Sequence, residues 1–412
     1  MSGSTEQAVG DLGGGSQSLW YGWIALIASG LAIGGYGIYR VLVDGTVALG
    51  ISSQFPWGLL ISTYEFFLLM GAGIIISVVT LGLVFRIEGA ELVLKRGVFL
   101  GAASVAAGLF AISISLGRPE RPLVHALINA NLSSAIWWVV MFAGLLVGLV
   151  FLLVVSIERD DLVTPTLSKT LGVVAFLVSL AVTVGAGFIF GMAEARPYYG
   201  SMFAPLYFLL TGVLSGVALV GFAIAAEFKL TANEMCIEME EFLTQRLSLG
   251  LGALAGLGLL FAIVKAVYGL TATSESTAMA YEHMLLGSFA PIYWGLGIVV
   301  GLVVPLALML YPKTRTVNGV LVSGAAVLVG VFVTRYEFVI GGQVVALSPD
   351  PGYEYPIVSY APSFVETALV IFAFALCALV YTAGRYVFTL DKIPSFAKSE
   401  KTTCTPRGEA DE

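Results

Sequence analysis

Five ionisable side chains lie inside long apolar stretches of this chain: Glu65, Lys265, Arg335, Glu337 and Glu366. Such groups are costly in an apolar medium, and where they persist they mark proton-handling or ligand-binding positions. Glu65 lies nine residues past Pro56, roughly 13 Å into its stretch at 1.5 Å per residue. That is too deep for a short side chain to reach a polar surface. A carboxylate there, beside the phenol of Tyr64, is suited to take up and return a proton. Lys265 and Arg335 have longer stems and can instead extend toward lipid headgroups. Glu366, only about 6 Å past Pro362, can pair with Arg335 as a structural ion pair.

Other residues fall around these five. Arg-Pro pairs occur in LGRPERP at 116–122 and EARPYY at 194–199. The residue before a proline is biased away from the helix, which frees its guanidinium to bind a carboxylate or carbonyl. The chain has only two histidines, His125 and His283, too few for the helix-borne pair that a b-type haem takes. Its three cysteines, Cys236, Cys377 and Cys404, form no CxxC pair. An iron–sulfur cluster, haem or metal site in this chain is therefore not expected. A net charge of −7 with no basic stripe argues against nucleic acid.

The elements that must position these residues follow from composition. Of 412 residues, 58% are hydrophobic and 11% charged, against about 25% charged in a soluble domain. Lipid is the solvent that such a chain suits. Long apolar runs predict ten membrane-spanning helices, near 20–43, 57–85, 97–117, 133–157, 169–192, 203–226, 247–270, 286–310, 317–338 and 363–388. An all-α polytopic membrane domain over 19–388 results. Residues 1–18 and 389–412 read as disordered cytoplasmic ends, the first lacking the basic region of a signal peptide. Of the 20 Lys and Arg, 14 fall on the side holding both termini, which the positive-inside rule places in the cytoplasm. Cys236 and Cys404 share that side, so no external disulfide is expected. The linker 227–246, with five glutamates, reads as a short helix on the inner surface. The five ionisable residues all fall in the outer halves of their spans, leaving only hydroxyls such as Ser179 in the inner halves. Trp57, Trp137, Trp138 and Trp294 lie near outer ends, as an aromatic belt or as the walls of a pocket.

Several segments resemble the NrfD/PsrC family of polysulfide-reductase-type membrane subunits, in its ten-span HybB-like branch. They are QFPWGLLISTYEFFLLMGAG (54–73), LGRPERP (116–122), NLSSAIWW (131–138), FGMAEARPYYGSMFAPLYFLLTGVLSGVAL (190–219), RYEFVIGGQVVAL (335–347) and SYAPSFVETALVIF (359–372). The resemblance implies two four-helix bundles, spans 2–5 (about 57–192) and spans 6–9 (about 203–338), flanked by spans 1 and 10. It also implies a cofactor-free subunit of the cell membrane that binds quinone, menaquinone in the first instance, as an exchangeable substrate. Its partners would be a ferredoxin-like iron–sulfur subunit and a catalytic subunit, often molybdopterin-containing, on the outer face.

A quinol site needs an apolar pocket, a donor to a carbonyl oxygen and a proton acceptor. Glu65 is the expected acceptor. Tyr64, Trp57, Asn131, Trp137 and Trp138 are expected as walls and donors, with Arg118 and His125 at the mouth. Arg121, Arg196 and Tyr198 are expected to face a partner, and Lys265, Arg335, Glu337 and Glu366 to handle protons or brace the fold. Two other classes of function compete: a secondary transporter, whose polar sites lie nearer the bilayer midplane, and a purely structural anchor.

Overall fold

A computed structural model describes residues 16–118, 120–159, 164–196, 198–199, 203–231, 235–346, 357–388, 390 and 393–394. Most of the two ends read as disordered lies outside the described residues, although the first helix already begins at Ser16. Among the described residues ten helices are long and apolar enough to cross a membrane, and the chain is an all-α polytopic membrane protein. They are span 1 (Ser16–Asp44), span 2 (Leu59–Phe85), span 3 (Ala90–Ser115), span 4 (Ala135–Glu158) and span 5 (Pro165–Gly191). Span 6 (Phe203–Thr231), span 7 (Ile237–Leu270), span 8 (Pro291–Leu310), span 9 (Val317–Gly341) and span 10 (Phe364–Val387) complete the set. Two short helices, Glu120–Ile128 and Glu275–Leu285, fill connections that the hydropathy pattern read as loops.

Span 2 is the hub. It packs against spans 3, 5, 6, 9 and 10, whereas span 1 rests on the outside against span 10. With lipid on both sides of the comparison, helices gain by close backbone approach rather than by hiding apolar surface, so small residues line the contact. Spans 2 and 6 cross this way: a Cβ added at Gly216 would lie 2.7 Å from the Gly73 carbonyl carbon. Span 2 loosens into π-helical turns at Ile75–Val79 and Leu81–Phe85, leaving its first four turns, which carry Glu65, regularly α-helical.

The end of the molecule where span 1 begins and span 10 ends, the terminal face, holds buried charge that the apolar pattern assigned to loops. Span 3 starts seven residues earlier than the hydropathy pattern puts it, so Lys95 and Arg96 are buried within it. Arg96 Nη2 lies 3.1 Å from Glu227 Oε1, Arg385 Nε lies 3.5 Å from the same oxygen, and Tyr381 donates to Glu227 Oε2 over 2.7 Å. Lys95 pairs with Glu158 at 3.3 Å. The expectation that this half offers only hydroxyls is thus corrected: a partner from another span offsets part of the desolvation cost of each charge.

The linker reading is corrected too. Glu227 lies inside span 6, and Ile237–Glu241 runs without a break into span 7 because Met239, Phe242 and Leu243 are buried. Cys236, on this face, is disulfide-bonded, and Cys377 is a buried free thiol in span 10.

Candidate functional site

The opposite end, the distal face, is organised around the loop that leads into span 2. Glu366 is fully buried and accepts from the backbone N–H of Gly50 at 2.9 Å and of Ser363 at 3.0 Å. Ser363 caps span 10 and donates to the Ala48 carbonyl at 3.1 Å. Tyr360 donates to Glu366 Oε1 and accepts from the Leu59 N–H, both at 2.8 Å. Burial and the adjacent carboxylate push the Tyr360 phenol up, so it stays a donor.

From the other side Gln343 grips the Trp57 backbone, accepting from its N–H at 3.0 Å and donating to its carbonyl at 2.8 Å. Arg196 donates to the Gln343 and Gln54 carbonyls at 3.4 Å each. The first turn of span 2 is therefore pinned to spans 9 and 10. Glu65 follows two turns inward.

Glu65 is 2% exposed, and its Oε2 has no hydrogen-bond partner. Facing it from span 9 is Arg335, 1% exposed, close enough for the two charges to interact but not joined as an ion pair. One arm of Arg335 is engaged: Nη2 donates to the Phe208 carbonyl at 3.3 Å and to the Thr211 hydroxyl. Its guanidinium lies 4.0 Å from the centroid of the Phe208 ring. Nε and Nη1 have no partner, nor has the neighbouring Ser62 hydroxyl. An aromatic cluster leads from here to the distal loops: Phe208 packs on Phe190 at 5.4 Å, and Phe190 on Trp57 at 5.3 Å. Tyr64 is half-buried and packs against the main apolar core.

A second buried group lies in spans 7 and 9. Lys265 Nζ is 3.3 Å from Glu337 Oε2, and the Tyr198 hydroxyl donates to the other carboxylate oxygen. The ammonium sits among the rings of Tyr198, Phe338, Tyr207 and Tyr293, 4.5–5.8 Å from their centroids. Here the charge is compensated by the carboxylate and the ring faces. A cavity of about 20 Å³ adjoins Lys265, Tyr293 and Thr211, large enough for one water.

Three expectations change. Arg335 and Lys265 do not extend to headgroups; both are buried. Glu366 takes its hydrogen bonds from neutral groups and not from Arg335. Arg196 and Tyr198, expected on the partner-facing surface, are 8% and 1% exposed and turn inward, because buried carbonyls and the Glu337 carboxylate need their donors.

The residues between spans 3 and 4 serve one another. Trp137 Nε1 donates to the Ala126 carbonyl at 2.7 Å, and Trp138 Nε1 to the Leu132 carbonyl at 2.9 Å. Those indole N–H groups are therefore engaged by backbone carbonyls. Asn131 accepts from Ser133 at 2.7 Å, and exposed His125 contacts Asn129 at 3.3 Å. Arg118 and Arg121 line a separate cleft beside span 1. No group of three or more His, Cys, Asp or Glu that would hold a metal occurs among the described residues.

Sequence reasoning missed Gln343, Tyr360, Thr211 and Phe208. All are neutral, and each acts through contacts more than 120 residues away in sequence. Their only signal was position inside the motif segments.

Comparison with known proteins gives the family. The chain is similar along nearly its whole length to the Hdr-like menaquinol oxidoreductase integral membrane subunit of Archaeoglobus fulgidus, at 26% identity over 92% of this chain and 95% of that one. With the menaquinone reductase integral membrane subunit of Nitratidesulfovibrio vulgaris it shares 22% identity over 89% and 90% of the two chains. It is 24% identical to protein NrfD of Escherichia coli, over 70% of this chain and 95% of that one. The profile of the polysulphide reductase, NrfD family matches residues 48–346, well over half of the sequence, and the chain belongs to that family.

Proposed function

We propose that this chain is the quinone-reactive membrane subunit of a respiratory oxidoreductase complex, exchanging electrons with an iron–sulfur subunit docked on its distal face. The observation that carries this reading is the Glu65–Arg335 couple. One carboxylate oxygen and two guanidinium nitrogens, all buried, lack partners and lie within reach of each other's charge. Buried polar atoms in folded proteins are paired, so an open couple in apolar surroundings suits a ligand with both a donor and an acceptor. A quinol hydroxyl donates to Glu65, and a quinone carbonyl accepts from Arg335.

Oxidation of a quinol releases two electrons and two protons. Glu65 takes the two hydroxyl protons in turn, releasing the first to water at the distal face before accepting the second, as the two electrons leave one at a time toward the partner's nearest cluster. Arg335 stabilises negative charge at the reacting oxygen, and needs no reorganisation because Thr211 and the Phe208 carbonyl already hold it. Trp57 and Tyr64 form walls of the site. Lys265 and Glu337 form a second proton-handling pair, near the distal ends of spans 7 and 9. The relatives' names support menaquinone as the quinone. As membrane subunits of oxidoreductases, those relatives also support a catalytic partner beyond the iron–sulfur one, molybdopterin-containing in this reading.

The 14-to-6 division of cations supports a cytoplasmic terminal face and an outward distal face. The helix contacts support grouping spans 2–5 and 6–9 as two bundles meeting along spans 2 and 6.

A photoreactive quinone analogue tests the site. Irradiated in the assembled complex, it should label peptides from the start of span 2 and the distal end of span 9, and excess menaquinone should suppress that labelling. Labelling confined to other spans would contradict the assignment.

A further inference from the structure

We propose that the cleft between the distal ends of spans 1 and 3 binds the phosphate of an anionic phospholipid through Arg118 and Arg121. The cleft has a volume of about 530 Å³, and both arginines line it together with Thr46, Val41 and Leu116. A backbone hydrogen bond of 3.2 Å from Arg121 N–H to the Arg118 carbonyl sets the two residues one turn apart, which puts their side chains on one face.

Both guanidiniums are exposed, and among the described residues neither has a carboxylate or hydrogen-bond partner. Among the described side chains, the carboxylate of Asp44 is already engaged: it lies 2.6 Å from Arg40 Nε, and Arg40 Nη1 donates to Tyr36 at 3.0 Å. The cleft wall is built. Gly117 has φ +67°, and a Cβ there would meet the Thr46 methyl at 2.6 Å, so only glycine lets the two span ends approach this closely.

The surroundings select a lipid over a protein. Span 1 is the least buried span, and Leu42, Val43 and Val47 beside the cleft are 77%, 63% and 89% exposed. An apolar surface ending in two uncompensated cations matches acyl chains topped by a phosphate. Arg118 is thereby assigned to a lipid rather than to the quinone mouth, and Arg121 to a lipid rather than to a protein partner.

The test is native mass spectrometry of the assembled complex in detergent, titrated with dioleoyl phosphatidylglycerol or dioleoyl phosphatidylcholine. The parent should retain one phosphatidylglycerol under conditions that strip phosphatidylcholine. The double variant Arg118→Gln, Arg121→Gln should bind phosphatidylglycerol about 30-fold more weakly, from two basic residues at a headgroup. Arg118→Lys, Arg121→Lys should keep most of the affinity, which separates lost charge from misfolding. Equal retention by the parent and the Gln variant overturns the proposal. So does loss of a co-purifying protein from the Gln variant with lipid retention unchanged, which would mark the cleft as a protein contact.

Discussion

At the terminal face Glu227 gathers Arg96, Arg385 and Tyr381, and Lys95 has Glu158. At the distal face Glu65 and Arg335 are as deeply buried, yet three of their polar atoms go unpartnered. The two ends bury charge to similar depth and differ in whether the opposite charges are in ion-pair contact. A buried charge matched by its own chain contributes to holding spans together. Opposite charges buried out of contact, with polar atoms left unpartnered, are what the proposed binding of a polar ligand calls for.

The Lys265–Glu337 pair occupies a middle position, matched like the terminal-face pairs but lying in the distal half beside a water-sized cavity. Glu366 is matched as well, by neutral donors, and its work is to fix where span 2 begins.

That contrast can be broken in several places. Arg96→Ala strips Glu227 of its most buried cation and should destabilise the chain by about 3–5 kcal/mol, read as early unfolding in a detergent melt; an unchanged melt would show that Arg385 alone suffices. Lys265→Met leaves Glu337 buried without its cation and should cost about 3 kcal/mol. If turnover per folded molecule also falls, the pair belongs with Glu65 rather than with Glu227. Glu366→Gln weakens the acceptor for two backbone N–H groups and Tyr360, and should cost about 1–3 kcal/mol; limited proteolysis should then find the 48–59 loop more easily cut. Arg246→Ala removes an exposed pair with Glu88 and should change stability by less than about 1 kcal/mol, a control for the whole series.

Much of this was legible in the sequence. Ten spans stand out because their apolar runs match the thickness of a bilayer, and Glu65 stands out because its depth past Pro56 leaves it no route to water. The start of span 3 was not legible. Lys95 and Arg96 look like loop residues until Glu158 and Glu227, 63 and 131 residues away, are seen to neutralise them.

Trp137 and Trp138 failed as pocket donors for a related reason: a sequence shows an indole N–H but not the carbonyl that takes it. Gln343 and Tyr360 drew no attention because neutral side chains acquire importance only from the backbone they meet, here that of Trp57 and Leu59.

The central claim is that the open Glu65–Arg335 couple is where quinol reacts. Its most direct test is the rate of menaquinol-analogue oxidation by the assembled complex carrying Glu65→Gln, with a detergent melt of the same preparation. Glutamine keeps the shape and removes the proton acceptor, so the rate should fall by about 100-fold or more while the melt stays that of the parent. A parental rate in an intact complex would contradict the claim.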